Sequence, residues 1–144
     1  MTTLVIDASV AAKWFLPATR EPFANEALQL LKRYASGDVQ FLVPDLFWAE
    51  SANIFWKAVR QARWPRSAGE AAIHALKERD FPTVSSLTLV DDALALSLTF
   101  DRSVYDSLYV ALALSAKTNL VTADERLANA LAAHLPVKWL GSFA

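Results

Sequence analysis

Asp7, Glu50, Asp106 and Asp124 are the residues whose type and placement could do chemistry together. Asp7 follows a short apolar run, Leu4-Val5-Ile6, and Asp124 follows a second strand-like stretch, Asn119 to Thr122. Ligands of open parallel sheets gather outside the carboxyl ends of the strands, so both carboxylates would point into one crevice. Glu50 falls within a helical stretch whose neighbours at three and four positions are Leu46, Phe47, Asn53 and Ile54. A carboxylate is thereby set on or beside a core-facing stripe, where an uncompensated charge is costly. A bound metal could offset it, and so could Lys57, seven residues further along the same face; Asn53 could hydrogen-bond nearby without changing the charge. Asp106 lies in the first turn of a helix that starts at Ser103. Carboxylates that converge repel one another, and either take up protons or bind a divalent cation. All-oxygen ligation suits magnesium or manganese rather than zinc. A metal held this way can orient a phosphodiester, neutralise developing charge and lower the pKa of a bound water, which is the chemistry of hydrolytic phosphoryl transfer.

Taken singly, Asp7, Asp106 and Asp124 also fit a plainer role. Aspartate between a strand and a helix is a favoured cap, and an acid in a first helical turn is favoured by the helix dipole. Ser103-Val104-Tyr105-Asp106, Thr122-Ala123-Asp124-Glu125 and Thr88-Leu89-Val90-Asp91 all resemble capping boxes. Asp45, Asp91 and Asp92 read as caps or solvated acids. What singles out the four is the ensemble: three acids at strand–helix junctions and a fourth on an apolar helical face.

The elements that must position them follow from the hydrophobic pattern. Strands are expected at Leu4–Ile6, Phe41–Val43, Thr83–Ser85, Asn119–Thr122 and Val137–Leu140. Helices are expected over Ala8–Leu16, Pro22–Ser36, from Pro44 and Asp45 to Ala62, and over Ser67–Glu78, Thr88–Thr99, Ser103–Lys117 and Asp124–Ala133. The strands are continuously apolar rather than alternating, as expected when both faces are covered. The implied fold is α/β, a mostly parallel central sheet between helices. A chain of 144 residues with 54% hydrophobic content fits one domain, 1–144, which would bury roughly 70% of the surface its unfolded chain exposes.

Composition narrows the function. There is no cysteine, which excludes disulfides and thiolate metal sites. The three glycines, Gly37, Gly69 and Gly141, cannot build a phosphate-binding loop or a dinucleotide fingerprint, and there is no G-x-S-x-G elbow. His74 and His134 have no partner nearby in sequence and read as surface or packing residues. The N-terminus lacks a basic region and Asp7 breaks its short apolar run, so no signal peptide is expected; no stretch reaches about 18 apolar residues, so no membrane span is expected, and the absence of cysteine fits a cytoplasmic location. The net charge of −1 lends no support to nucleic-acid binding by itself. Lys57, Arg60, Arg63 and Arg66 are interleaved with Trp56 and Trp64, a pattern that could track a phosphate backbone and stack bases, or simply face solvent. Trp14, Phe15, Phe47 and Trp48 could form an apolar groove for a partner, or part of the core.

Together the motifs Asp7-x-Ser9, Ala49-Glu50 with Asn53, Ser103-x-Tyr105-Asp106-x-x-Tyr109 and Thr122-x-Asp124 resemble, in order and placement, the PIN domain and within it the small VapC-type toxins. The resemblance runs from Leu4 to Trp139. It implies a three-layer α/β/α sandwich and a magnesium- or manganese-dependent endoribonuclease that cuts single-stranded RNA. It implies Asp7, Glu50, Asp106 and Asp124 as the acidic quartet, with Ser9 and Thr122 as accessory groups and Asn53 as a helper beside Glu50. Asp101, near the third motif, is an extra ligand or a plain loop acid. A cognate antitoxin protein and a homodimer are the partners the resemblance implies.

Other classes fit less well. A haloacid-dehalogenase-type phosphatase would carry a second acid two residues after Asp7, where Ser9 stands. A receiver domain would carry its phospho-acceptor after a middle strand and a lysine after a late one, whereas Lys138 lies inside the last strand. A catalytically idle PIN-like binding module, whose acids only cap helices, is the remaining alternative.

Overall fold

A computed structural model describes residues 1–142. Five strands, β1 (Thr2–Ile6), β2 (Val39–Pro44), β3 (Thr83–Val84), β4 (Leu120–Thr122) and β5 (Val137–Trp139), form one sheet in the order β3-β2-β1-β4-β5, and every pairing is parallel. Among the described residues seven helices complete a three-layer α/β/α sandwich: α1 (Ala8–Ala12), α2 (Ala24–Ala35), α3 (Leu46–Arg60), α4 (Arg66–Glu78), α5 (Ser86–Phe100), α6 (Val104–Ser115) and α7 (Glu125–Leu131).

β1 is the central strand. It pairs with β2 from Thr2↔Val39 to Val5↔Leu42 on one side, and with β4 through Val5↔Leu120 and Ile6↔Val121 on the other. The chain leaves β1 toward β2 and returns later to β4, so the strand order reverses between β1 and β4. Such a switch point opens a crevice at the carboxyl ends of the two strands. Asp7 and Asp124 follow those ends.

The core explains why the strands carry no polar alternation. Val5, Ile6, Phe41, Val43, Leu120 and Val121 are fully buried. α6 is the most enclosed helix, with an unbroken buried run from Ser107 to Ala113. An aromatic cluster of Trp14, Tyr34, Phe41, Phe47, Trp48 and Phe81 fills the space beside β2. Trp14 stacks on Phe41 and donates its indole N–H to the Ala27 carbonyl, and Trp48 donates to the Thr83 hydroxyl. Phe15 packs edge-on against Phe55. Each of these rings thus has a packing partner in the core, which accounts for its place in the sequence.

Three local expectations shift. Regular helix after Asp7 stops at Ala12 rather than Leu16, and the following amides bond three residues back, Trp14 to Ala11 and Phe15 to Ala12. The tightened turn carries Trp14 and Phe15, and the contacts of those rings override a helical pattern in the sequence. The helix expected from Thr88 begins at Ser86, capped by the Ser85 hydroxyl, so Thr88 to Asp91 is helix interior rather than a capping box. Asp45 makes no side-chain cap on α3; its carboxylate instead accepts from the backbone N–H and the hydroxyl of Ser86, tying the starts of α3 and α5 together.

Candidate active site

The acid positions expected from the sequence fall on four different elements and line one cleft of about 470 Å³. Asp7 stands at the end of β1 and caps α1, Glu50 projects from α3, Asp106 from the first turn of α6, and Asp124 caps α7. Ser9, Asn53, Lys57, Tyr105 and Tyr109 complete the walls that matter for chemistry.

Asp7 is buried. Its Oδ1 accepts from the backbone N–H of Ser9 at 3.1 Å and of Val10 at 3.4 Å, and from the Ser9 hydroxyl. Burial pushes its carboxyl up to about 6; the hydroxyls of Ser9 and Thr122 and the Val10 amide oppose this, and the charge of Glu50 adds to it. The Ser9 hydroxyl also accepts from the Ala123 N–H at 3.1 Å, which joins the end of β1 to the end of β4. Thr122, fully buried, accepts from the Asp124 N–H at 3.0 Å and so fixes the entry to α7. Asp124 caps that helix through the Leu127 N–H at 3.2 Å.

Glu50 is half-buried, and its carboxylate accepts a short hydrogen bond from the Tyr109 hydroxyl. Burial pushes the Glu50 carboxyl above its ordinary range, the Tyr109 bond opposes this, and repulsion from Asp106 adds to it. Tyr109, mostly buried between carboxylates, is held far above the ordinary phenol range, so it acts as a fixed donor. Asp106 is raised mainly by burial; Arg102 pulls it down, and Asp124 pushes it up. The repulsions thus form a row, Asp7 to Glu50, Glu50 to Asp106, Asp106 to Asp124. Glu50 is engaged by Tyr109 and Asp106 by Arg102, and among the described residues no three Asp, Glu or His side chains stand, as they are, in an arrangement that could hold a metal.

Several accessory expectations are sorted by these positions. Asn53 lines the cleft but makes no hydrogen bond to Glu50 among the described residues. Lys57 also lines the cleft and forms no ion pair with Glu50; among the described residues the lysine and arginine ion pairs are Lys13–Glu21, Arg66–Glu70 and Arg102–Asp106, and His74 lies beside Glu78. Asp101 does not line the cleft: it terminates α5 in the left-handed conformation, φ 57°. In the basic stretch, Arg66 is taken up by Glu70, and Trp64 packs on Phe55. Only Trp56, with Arg60 over its ring at 5.3 Å, presents an exposed aromatic there. Both histidines lie away from the cleft.

Two partners escape sequence reasoning. Tyr109 stands in a motif without a role of its own, and Arg102 lies outside every motif. Tyr109 lies one helical turn beyond Asp106 on α6, and Arg102 lies four residues before Asp106, in the turn that precedes the helix.

A model of the PIN domain matches residues 4–131. The chain belongs to the PIN-domain family. Among curated PIN relatives, Ribonuclease VapC3 of Pyrobaculum aerophilum is 31% identical over 127 residues, covering 87% of this chain and 92% of that protein. The fold of this PIN domain is shared with the crystal structure of PAE2754 from Pyrobaculum aerophilum, at a TM-score of 0.71 and 18% identity over 98% of this chain and 91% of that one. It is shared also with a toxin–antitoxin complex from Klebsiella pneumoniae, at 0.65 and 16% identity over 94% and 95% of the two chains. Mycobacterium tuberculosis VapC20, described as a sarcin-ricin loop cleaving toxin, matches at 0.65 and 14% identity over 92% and 95%.

Proposed function

We propose that residues 1–144 form one PIN domain that is a divalent-metal-dependent endoribonuclease, the toxin of a toxin–antitoxin pair. The observation that carries this is the row of four carboxylates from four separate elements on one cleft, three of them pushed above their ordinary range. Helix capping accounts for Asp7 and Asp124 but gives no reason for Glu50, which caps nothing and sits half-buried opposite two other acids. The relatives' names agree: one is a ribonuclease, one belongs to a toxin–antitoxin complex and one cleaves the sarcin-ricin loop.

The donor set fits magnesium or manganese, since the acids offer oxygen donors alone and no histidine lines the cleft. Asp7, Glu50, Asp106 and Asp124 would hold the ion, once Glu50 and Asp106 turn from their present partners. The metal would supply a water of lowered pKa and neutralise charge on the phosphodiester. The protein's own groups do the rest. Ser9 and Thr122 keep Asp7 and Asp124 aimed at the crevice, Tyr109 restrains Glu50, and Lys57 on the wall is placed for a backbone phosphate. Tyr105, 63% exposed beside Asp106, offers a face for an unpaired base.

Two partner surfaces belong to this proposal. α5 presents Leu87 (83% exposed), Val90, Leu94 (51%) and Leu98 (79%) along one face. Together these side chains expose on the order of 400 Å² of apolar surface, within the range of the largest patches that monomers leave open and often use for binding, so we assign it to a homodimer. An apolar groove of about 320 Å³ between α3 and α4, lined by Phe55, Trp56, Val59 and Ile73, is the seat we assign to the antitoxin. Trp56 adjoins Lys57 of the acid cleft, so a chain seated there reaches the acids within a few residues. Among the described residues no helix is long and apolar enough to cross a membrane; a cytoplasmic location, where RNA is met, is part of this proposal.

The test is incubation of purified protein with a mixed RNA pool in magnesium or manganese, beside EDTA and an Asp7→Asn variant. Cleavage that needs the metal and Asp7 supports the proposal. Intact RNA across varied pools would return the chain to an idle binding module.

A further inference from the structure

Arg102 sits between a forced reversal and a helix cap. Asp101 ends α5 with φ 57°, Ser103 caps α6 by accepting from the Asp106 N–H at 3.1 Å, and Arg102 is the residue between. Aspartate tolerates the left-handed conformation better than most residues, so Asp101 serves the reversal that delivers Arg102. The guanidinium Nη2 of Arg102 lies 3.5 Å from Asp106 Oδ2, with both side chains largely shielded from solvent. Its Nε is buried and has no hydrogen-bond partner among the described residues.

A positive charge between α5 and α6 meets the negative end of the first helix's dipole and the positive end of the second's, so the two dipoles together give it little net stabilisation. The buried Nε is a cost without a return. What does attract the guanidinium is the acid row, with Asp106 in contact and Asp124 and Glu50 each close enough to repel Asp106. Arg102 nevertheless does not line the cleft. It therefore partly neutralises Asp106, an inner member of the row, from outside the cleft.

We propose that Arg102 is a built-in counter-cation that occupies Asp106 when no metal is bound and thereby weakens the cleft's affinity for a divalent ion. This rests on the metal-dependent function proposed above. A divalent ion drawing on Asp106 must either displace the guanidinium or tolerate a positive charge a few ångströms away, and either one lowers affinity. The guanidinium meanwhile spares the acids part of their mutual repulsion, so their convergence costs the fold less. Arg102 is on this account a tuning residue, acting on the ion through Asp106.

The experiment is a manganese titration followed by calorimetry and by melting temperature, on wild type, Arg102→Gln, Arg102→Met, Arg102→Lys, Arg66→Gln and Asp7→Asn. Melting in EDTA first identifies which variants fold, and Arg102→Met keeps the aliphatic stem should the glutamine variant fail. Removing a unit charge so close to the ion should tighten manganese binding roughly ten-fold in either neutral variant. Arg102→Lys should stay near wild type, and Arg66→Gln, which loses only the exposed pair with Glu70, should match it. Neutral variants that bind manganese equally or more weakly overturn the proposal, as does a lysine variant that binds as tightly as they do. If wild type binds and Asp7→Asn does not, that failure is confined to Arg102; if wild type itself does not bind, the metal-dependent function falls with it.

Discussion

The Tyr109 hydroxyl on α6 donates to the Glu50 carboxylate on α3, across 59 positions of sequence. It ties an acid that caps no helix to the most enclosed of the described helices. Tyr109→Phe removes the donor and keeps the ring. Without it, burial and Asp106 act on Glu50 unopposed, and its carboxyl rises further. RNA cleavage should fall about ten-fold in kcat, the scale of one hydrogen bond to a charged group, with KM little changed. Single-turnover kinetics would read this, and an unchanged kcat would leave Tyr109 as packing.

Asp7 sets a pH dependence whose sign is fixed by its raised carboxyl. Its value in the folded protein is about 6, against 3.8 ordinarily. The folded state thus holds the proton more tightly than the unfolded chain does. That contribution is complete below about pH 4 and disappears as pH rises through 6, and it amounts to about 3 kcal/mol. In EDTA, wild type should therefore lose stability relative to Asp7→Asn between pH 4 and 7, and asparagine can still cap α1. Manganese should reverse the order at pH 7, stabilising wild type alone. Thermal melts across pH would check both arms, and parallel profiles for the two proteins would refute the prediction. Metal-dependent cleavage should rise over the same window, as the ion needs Asp7 ionised.

The α5 stripe predicts an association that a charge should break. Leu94→Glu with Leu98→Glu alters two exposed side chains and no part of the acid cleft. Light scattering after size exclusion should show a dimer for wild type and a monomer for the variant, with the melting temperature of the monomer unit retained. A monomeric wild type at micromolar concentration would remove the dimer.

A different surface should govern inhibition. Ile73→Glu places a charge in the α3–α4 groove. It should weaken antitoxin binding at least ten-fold by calorimetry while leaving basal RNA cleavage unchanged. Unaltered affinity would move the antitoxin to another face.

Much of this arrangement was legible because backbone position carries it. Asp7 and Asp124 sit where continuous apolar strands give way to helices, and a parallel sheet brings such junctions to one edge whatever the intervening chain does. Glu50 was legible because an acid on an apolar helical face is costly. Side-chain partners were a different matter. Arg102 and Tyr109 both lie within four residues of Asp106, but which one reaches which acid depends on how α3 packs opposite α6. Trp56 and Trp64 looked alike in a basic stretch, yet only Trp56 remains exposed, because Trp64 packs against Phe55. The early end of α1 was likewise hidden, since it follows from where Trp14 and Phe15 find their aromatic neighbours.

The bridge made by the Ser9 hydroxyl, from Asp7 to the Ala123 amide, divides the cleft into two mechanical halves. Asp7 and Asp124 follow two adjacent central strands, β1 and β4, whose pairing and the Ser9 bridge hold them to one backbone frame. Glu50 and Asp106 ride on helices and are held by single side-chain bonds, so they can swing while the sheet stays still. The cleft is thus a fixed jaw facing a movable one, and adjustment to ion and RNA falls to the helical side.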